Sequence, residues 1–137
     1  MERSLVIIKP DAVSRGLGGA VLSRLEGKGL RLAALKMLHL DKDLARRHYA
    51  IHRDKPFFSS LVTYITSAPV VVAVFEGDGV VARIREAAGA TDPANAGKGT
   101  IRGDYGLDIE KNTIHGSDSM ETAETEIGLF FTEDEIF

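Results

Sequence analysis

The run Val70-Val71-Val72-Ala73-Val74-Phe75 constrains this chain more than any other segment. Its continuous apolar and β-branched character predicts a strand covered on both faces and central in its sheet. Around it the pattern alternates. Leu5-Val6-Ile7-Ile8 reads as another buried strand, stopped by Pro10. Gly18 to Gly29 places Ala20, Val21, Leu22 and Leu25 at helical spacing, with Gly27 and Gly29 as terminators. Leu30 to Leu40 alternates loosely and predicts a strand. A polar helix runs from Asp41 through Tyr49, and an amphipathic one from Phe57 to Thr66 puts Phe58, Leu61, Val62 and Ile65 on one face.

Val80 to Ala88 predicts a helix, residues 89 to 111 a long glycine-rich excursion, and Thr113 to His115 a short strand. A last helix starts at about Ser119, with Asp118 as N-cap and Glu121 in capping-box register. No repeat, low-complexity linker or boundary interrupts the series, so residues 1–137 read as one domain. The order strand-helix-strand, helices, strand-helix-strand fits the α+β class. It predicts a ferredoxin-like α/β sandwich with a four-stranded antiparallel sheet and additional helices.

A chain of 137 residues, 44% of them hydrophobic, can bury a substantial core. Its longest uncharged apolar runs are far too short to span a bilayer, and no signal-peptide pattern opens it. The expectation is a cytoplasmic enzyme without a membrane. The absence of cysteine excludes disulfides and thiolate metal sites. The net charge of −3 hides an asymmetry: residues 1–116 hold all 17 Lys and Arg against 13 acids, a balance of +4, while residues 117–137 hold seven acids and no Lys or Arg. A basic body suits anionic ligands, and the acidic end reads as helix-start carboxylates followed by a solvated tail. No basic stripe points to specific nucleic-acid binding.

The segment Asn112-Thr113-Ile114-His115-Gly116-Ser117-Asp118 surrounds one imidazole with small, hydrogen-bonding neighbours. That suits a nucleophilic histidine, because a phosphoryl group in line with a ring nitrogen needs room and nearby donors. A histidine at a strand end is also readily an ordinary hydrogen-bonded residue. An excursion of more than twenty residues in a small domain usually has a function. Here it carries Thr91, Lys98 and Arg102, with Asn112 directly after. Arg102 offers a planar fork for phosphate oxygens, and Gly99 and Gly103 permit close approach.

Each of these side chains also has an ordinary reading. Arg102 could form a structural salt bridge, Arg85 could be a solvated helix arginine, and Phe57 could be core. Tyr49 could cap a hydrophobic cluster, Lys9 could be the exposed end of a strand, and Glu126 could be one more solvated helix carboxylate. Of the remaining histidines, His39, His48 and His52, the latter two are four apart, but no third ligand with standard spacing accompanies them. No protein-held zinc is expected.

Ile8-Lys9-Pro10-Asp11 and Gly99-Thr100-Ile101-Arg102-Gly103-Asp104 accompany the histidine segment. Arg15-Gly16-Leu17, His48-Tyr49, Lys55-Pro56-Phe57-Phe58, Ser67-Ala68-Pro69-Val70, Thr91-Asp92-Pro93-Ala94 and Glu126-Ile127-Gly128 fall between and beyond them. In this order and spacing, over essentially the whole chain, the set resembles the nucleoside diphosphate kinase family. The resemblance implies the same fold and a ping-pong transfer of the terminal phosphoryl group from a nucleoside triphosphate to a diphosphate through phospho-His115. It assigns Lys9, Tyr49 and Asn112 to the ribose hydroxyl and transferring phosphate. Arg85, Thr91 and Arg102 match the phosphate ligands, and Phe57, Leu61 and Ile109 the apolar clamp on the base. Glu126, with Ser117, matches the carboxylate that orients the histidine.

The resemblance further implies Mg²⁺ arriving with the nucleotide rather than a metal ligated by the protein. It implies ATP and other nucleoside tri- and diphosphates as partners, and a homotetramer or homohexamer built from dimers. The alternative is a non-enzymatic nucleotide-binding or scaffold domain of ferredoxin-like fold, which gives no reason to keep nucleophile, phosphate donors and base clamp together. A relay passing phosphate from the same histidine to proteins is a further possibility. The chain departs from the family pattern at Ile51, where an acid is common, at Asp92, where asparagine is common, and at Lys98, where proline is frequent.

Overall fold

The computed structural model describes residues 2–137. Four strands, β1 (Arg3–Ile8), β2 (Arg31–Leu38), β3 (Val70–Glu76) and β4 (Ile114–Gly116), form one sheet in the order β2-β3-β1-β4 with every pairing antiparallel. The valine-rich run is β3, central as its composition requires, and buried from Val70 through Phe75.

Both faces of the sheet are covered, which is why β1 and β3 read as unbroken apolar runs although the sheet is antiparallel. On one face Val6, Ile8, Ala73 and Phe75 pack with Ala12 of α1 (Pro10–Ser14) and with residues of α2 (Gly18–Gly27) and α5 (Val80–Ala88). On the other, Leu5, Ile7, Val72 and Val74 pack with α3 (Lys42–His48), α4 (Phe58–Ile65) and α7 (Met120–Phe130). The period of two along each strand therefore divides the core into two layers. This is the predicted ferredoxin-like α+β sandwich with added helices.

Local differences have local causes. The loose alternation in β2 reflects a bulge: the pairing with β3 shifts between Leu32 and Ala34, so Ala33 and Ala34 are both buried. The excursion after α5 is not structureless. It contains a 3-10 turn at Pro93–Asn95 and the short helix α6 (Ile101–Tyr105), anchored by the buried Ile101, with the Thr100 side chain accepting from the Gly103 amide. Asp92 accepts from the Ala94 amide and so caps the 3-10 turn.

The expected Asp118–Glu121 capping box does not form. Ser119 is the N-cap of α7, its hydroxyl accepting from the Thr122 amide at 3.0 Å, while Asp118 turns away to Arg85. The acidic end is only partly a solvated tail, since Glu135 pairs with Lys36 at 3.1 Å and Glu133 approaches Arg3 at 3.5 Å. Among the described residues no helix is long and apolar enough to cross a membrane.

Candidate active site

His115 sits in the middle of β4, opposite Ile7 of β1. Strand alternation turns its neighbours Ile114 and Gly116 toward the opposite face. There a Cβ on Gly116 would lie 2.8 Å from Ile84 of α5, so this glycine lets a helix approach β4 from behind. The glycine beside the histidine therefore serves packing, not the room for a phosphoryl group that its position in the sequence suggests. Just before the strand, Thr113 has φ +77°, and the Ile114 amide donates to the Asn112 carbonyl at 2.9 Å across it. This tight three-residue turn puts a non-glycine residue in the left-handed region, a conformation that surrounding contacts must enforce. One such contact is the Lys9 amide donating to the Thr113 carbonyl at 2.9 Å.

The turn holds Asn112 in a buried network. Its Oδ1 accepts from Lys9 Nζ at 2.8 Å, and its Nδ2 donates to the carbonyls of Thr91 at 2.8 Å and Ile109 at 3.1 Å. Lys9 is therefore not an exposed strand end. It is 7% exposed, and burial, reinforced by the Arg102 charge, lowers its pKa to about 8.

Glu126 of α7 is equally far from a solvated helix carboxylate, being 6% exposed. Both its oxygens lie 3.1 Å from His115 Nε2, and Ser117 Oγ donates to Oε1 at 2.6 Å. Burial pushes its pKa up, but the His115 hydrogen bond and the charges and donors around it outweigh burial and hold the carboxyl below its ordinary value. An ionised carboxylate only accepts, so Nε2 carries the ring hydrogen and Nδ1 of neutral His115 is left with the lone pair.

Arg102 of α6 donates from Nη1 to the Gly89 carbonyl at 2.9 Å and from Nη2 to the Ile114 carbonyl at 2.7 Å. Among the described residues it forms no salt bridge, and burial with the nearby Arg85 charge lowers its pKa to about 10. Arg85 reaches Asp118 at 2.7 Å, both ends exposed. Phe57 and Ile109 are 45% and 63% exposed, whereas Phe58 and Leu61 pack against the core layer of α3, α4 and α7. Tyr49 joins that layer, and burial raises its pKa.

These residues share one cleft of about 880 Å³, which brings together eleven of the side chains singled out from the sequence, Lys9, Tyr49, Phe57, Leu61, Arg85, Thr91, Arg102, Ile109, Asn112, His115 and Glu126, whereas Lys98 and Ser117 do not line it. Ile51 also lines the cleft, 82% exposed. The residue that sequence reasoning missed is His48, at the end of α3. Its ring stands edge-on to that of His115 with centroids 4.8 Å apart, and burial first, then the His115 charge, lowers its pKa to about 3. Its Nδ1 comes within 3.5 Å of Glu126 Oε2 without the alignment of a hydrogen bond. Spacing to His52 could not signal this, because the partners of His48 come from β4 and α7.

The sequence profile of the nucleoside diphosphate kinase family matches residues 2–136. This chain belongs to the nucleoside diphosphate kinase family. A nucleoside diphosphate kinase from Dehalococcoides mccartyi is 59% identical over 136 residues, covering 99% of this chain and 96% of the relative. One from Archaeoglobus fulgidus is 57% identical, covering 99% and 90%. Among solved structures, the Aquifex aeolicus nucleoside diphosphate kinase superposes with a TM-score of 0.98 at 42% identity and 99% coverage of both chains. The Halobacterium salinarum enzyme, solved with CDP, gives 0.96 at 50% identity, covering 99% of this chain and 91% of that one. Membership makes this chain a phosphotransferase acting on nucleoside di- and triphosphates, in a family whose chemistry typically uses a divalent metal.

Proposed function

We propose that residues 1–137 act as one catalytic domain in which His115 Nδ1 attacks the γ-phosphorus of a bound nucleoside triphosphate. A P–N bond forms as the bond to the bridging oxygen breaks, the nucleoside diphosphate leaves, and a second diphosphate takes the phosphoryl group by the reverse displacement. The observation that carries this reading is the pair of 3.1 Å contacts from His115 Nε2 to the buried Glu126, which leaves Nδ1 as the nucleophilic nitrogen. Glu126 orients the ring and balances the positive charge that develops on it. Ser117 fixes Glu126.

Lys9, Arg85 and Arg102 supply the charges that phosphoryl transfer requires, since the protein's task is to position reactants and stabilise charge on the transferred group. Thr91 adds a further phosphate contact. Tyr49 sits with Lys9 and Asn112 beside the transferring phosphate and ribose hydroxyl. Phe57, Leu61 and Ile109 hold the base. The non-enzymatic alternative is not favoured, because a nucleotide sensor has no use for a histidine tautomer fixed by a buried carboxylate.

The metal of this reaction is Mg²⁺. The cleft fits an ion carried in by the nucleotide and held by phosphate oxygens and water, with Asp118, which pairs with Arg85, as the nearby carboxylate on the cleft lining. When bound it supplies positive charge against the charge developing between the phosphates. The substrates are ATP and other nucleoside tri- and diphosphates, and the setting is the cytoplasm. The assembly is a homotetramer or homohexamer built from dimers, and the edge strand β2, which exposes Leu35 at 49% and Met37 at 63%, is a surface on which two chains could pair.

Incubation with Mg-ATP alone should give one acid-labile phosphoryl adduct, discharged by a deoxynucleoside diphosphate. His115→Ala should lose both adduct and turnover, on the order of 10⁴-fold or more, with nucleotide binding largely retained. Full turnover by that variant would overturn the mechanism.

A further inference from the structure

We propose that His48, His115 and Glu126 form an inhibitory site for a borderline divalent transition ion such as Zn²⁺, distinct in chemistry from the Mg²⁺ that accompanies substrate. The inhibitory half rests on His115 as nucleophile; the metal site itself does not.

One ligand atom from each of these residues lies within 4.8 Å of the others. A tetrahedral zinc with bonds of about 2.1 Å spaces its ligands by roughly 3.4 Å. Glu126 Oε2 lies 3.1 Å from His115 Nε2 and 3.5 Å from His48 Nδ1, already near that spacing. Only the two imidazoles need to draw together, and His115, with 22% of its side chain exposed, borders the open cleft.

His48 is the independent observation. Its side chain is 1% exposed, yet neither ring nitrogen has a hydrogen-bond partner among the described residues. A buried neutral imidazole with an unused donor and an unused acceptor is costly, and a ligated ion would satisfy the acceptor. Two neutral imidazoles and one carboxylate are a donor set that zinc accepts, with the cleft supplying water as fourth ligand. Mg²⁺, which prefers oxygen and keeps its waters, is poorly matched to it.

The consequence for catalysis is a change of tautomer. An ion on His115 Nε2 takes the lone pair there, so the single ring hydrogen of the neutral imidazole moves through solvent from Nε2 to Nδ1. No proton is lost overall. The nitrogen that would attack phosphorus then carries a hydrogen, and the ring is blocked while the rest of the nucleotide cleft stays intact.

The test uses the chelator-treated full chain. Titration with Co²⁺ should produce the visible ligand-field bands of a four-coordinate N/O site, and Zn²⁺ should displace the cobalt at one equivalent per chain. His48→Gln and, separately, Glu126→Gln should each weaken Zn²⁺ binding at least tenfold, while His39→Gln, on the surface, should not. Phosphorylation by Mg-ATP in the wild type should fall in step with zinc occupancy. Absence of four-coordinate bands, or binding unchanged in both site variants, would overturn the site. Site-dependent binding with an unchanged phosphorylation rate would overturn the inhibitory role. Loss of phosphorylation in His115→Ala independently decides the nucleophile, so the two failures are distinguishable.

Discussion

At the floor of the cleft Lys9, Asn112, Ser117 and Glu126 are buried and their polar groups are joined to one another or to backbone carbonyls, whereas at the mouth Phe57 and Ile109 are exposed. The floor stabilises charge with groups whose positions are set before substrate arrives, which is where preorganisation has its largest effect. The mouth offers apolar area without a hydrogen-bonding pattern, and a π-face accepts any base. One cleft thus combines strict chemistry with tolerant recognition.

The sharpest way to break this contrast is at the floor. Arg102→Lys keeps the charge but loses the planar fork that spans the Gly89 and Ile114 carbonyls, and should slow single-turnover phosphorylation by about 10²-fold. A thermal melt run beside it separates lost chemistry from lost folding. A rate within twofold of wild type would show that Arg102 is structural only. Glu126→Gln should slow the same step by roughly tenfold to a hundredfold, since the ring keeps a hydrogen-bond partner but loses the balancing charge. Rapid-quench measurement across neutral pH decides it, and an unchanged rate would return Glu126 to a purely structural part.

At the mouth, Phe57→Ala should raise KM by roughly tenfold for purine and pyrimidine diphosphates alike, with kcat nearly constant, because stacking contributes about 1–3 kcal/mol per base. A large loss confined to one base would mean that the rim reads base identity. The smallest effect is a pH limb. Free-enzyme Lys9, with its pKa near 8, should lose its charge above that pH, so kcat/KM should decline on the alkaline side. Lys9→Arg should remove that limb. Stability runs the other way. With an ordinary value of 10.5 in the unfolded chain, the unfolded state binds the extra proton between about pH 8 and 10.5, so Lys9 makes folding more favourable as pH rises through that window. Parallel loss of activity and fold above pH 8 would count against this assignment.

The central strands were legible because burial on both faces writes itself as an uninterrupted apolar run, as in Val70 to Phe75. The start of α3 at Asp41 is legible for an equally local reason, since that side chain accepts from the Leu44 amide as N-cap. Legibility failed where a choice between neighbours depended on distant partners. Asp118 and Ser119 are both good caps, and Arg85 decides between them by claiming the aspartate. Helix α6 is too short to show a period, and its order comes from burial of Ile101. His48 looked like half of a helical pair, but its environment is made by β4 and α7. The site residues stand out through family motifs more than through pattern, since by pattern Lys9 and Glu126 each read as surface charges although both are buried.

The left-handed turn at Thr113 has a consequence for how this molecule can change. Its hydroxyl is buried without a partner and its backbone adopts a conformation costing on the order of 1–3 kcal/mol, yet it is not among the residues lining the cleft. Its task is to aim Asn112 on one side and His115 on the other. Selection for heat resistance alone would replace it with glycine, which adopts this φ freely, and the same replacement would loosen the two side chains that it aims. At this position durability and speed pull the sequence in opposite directions.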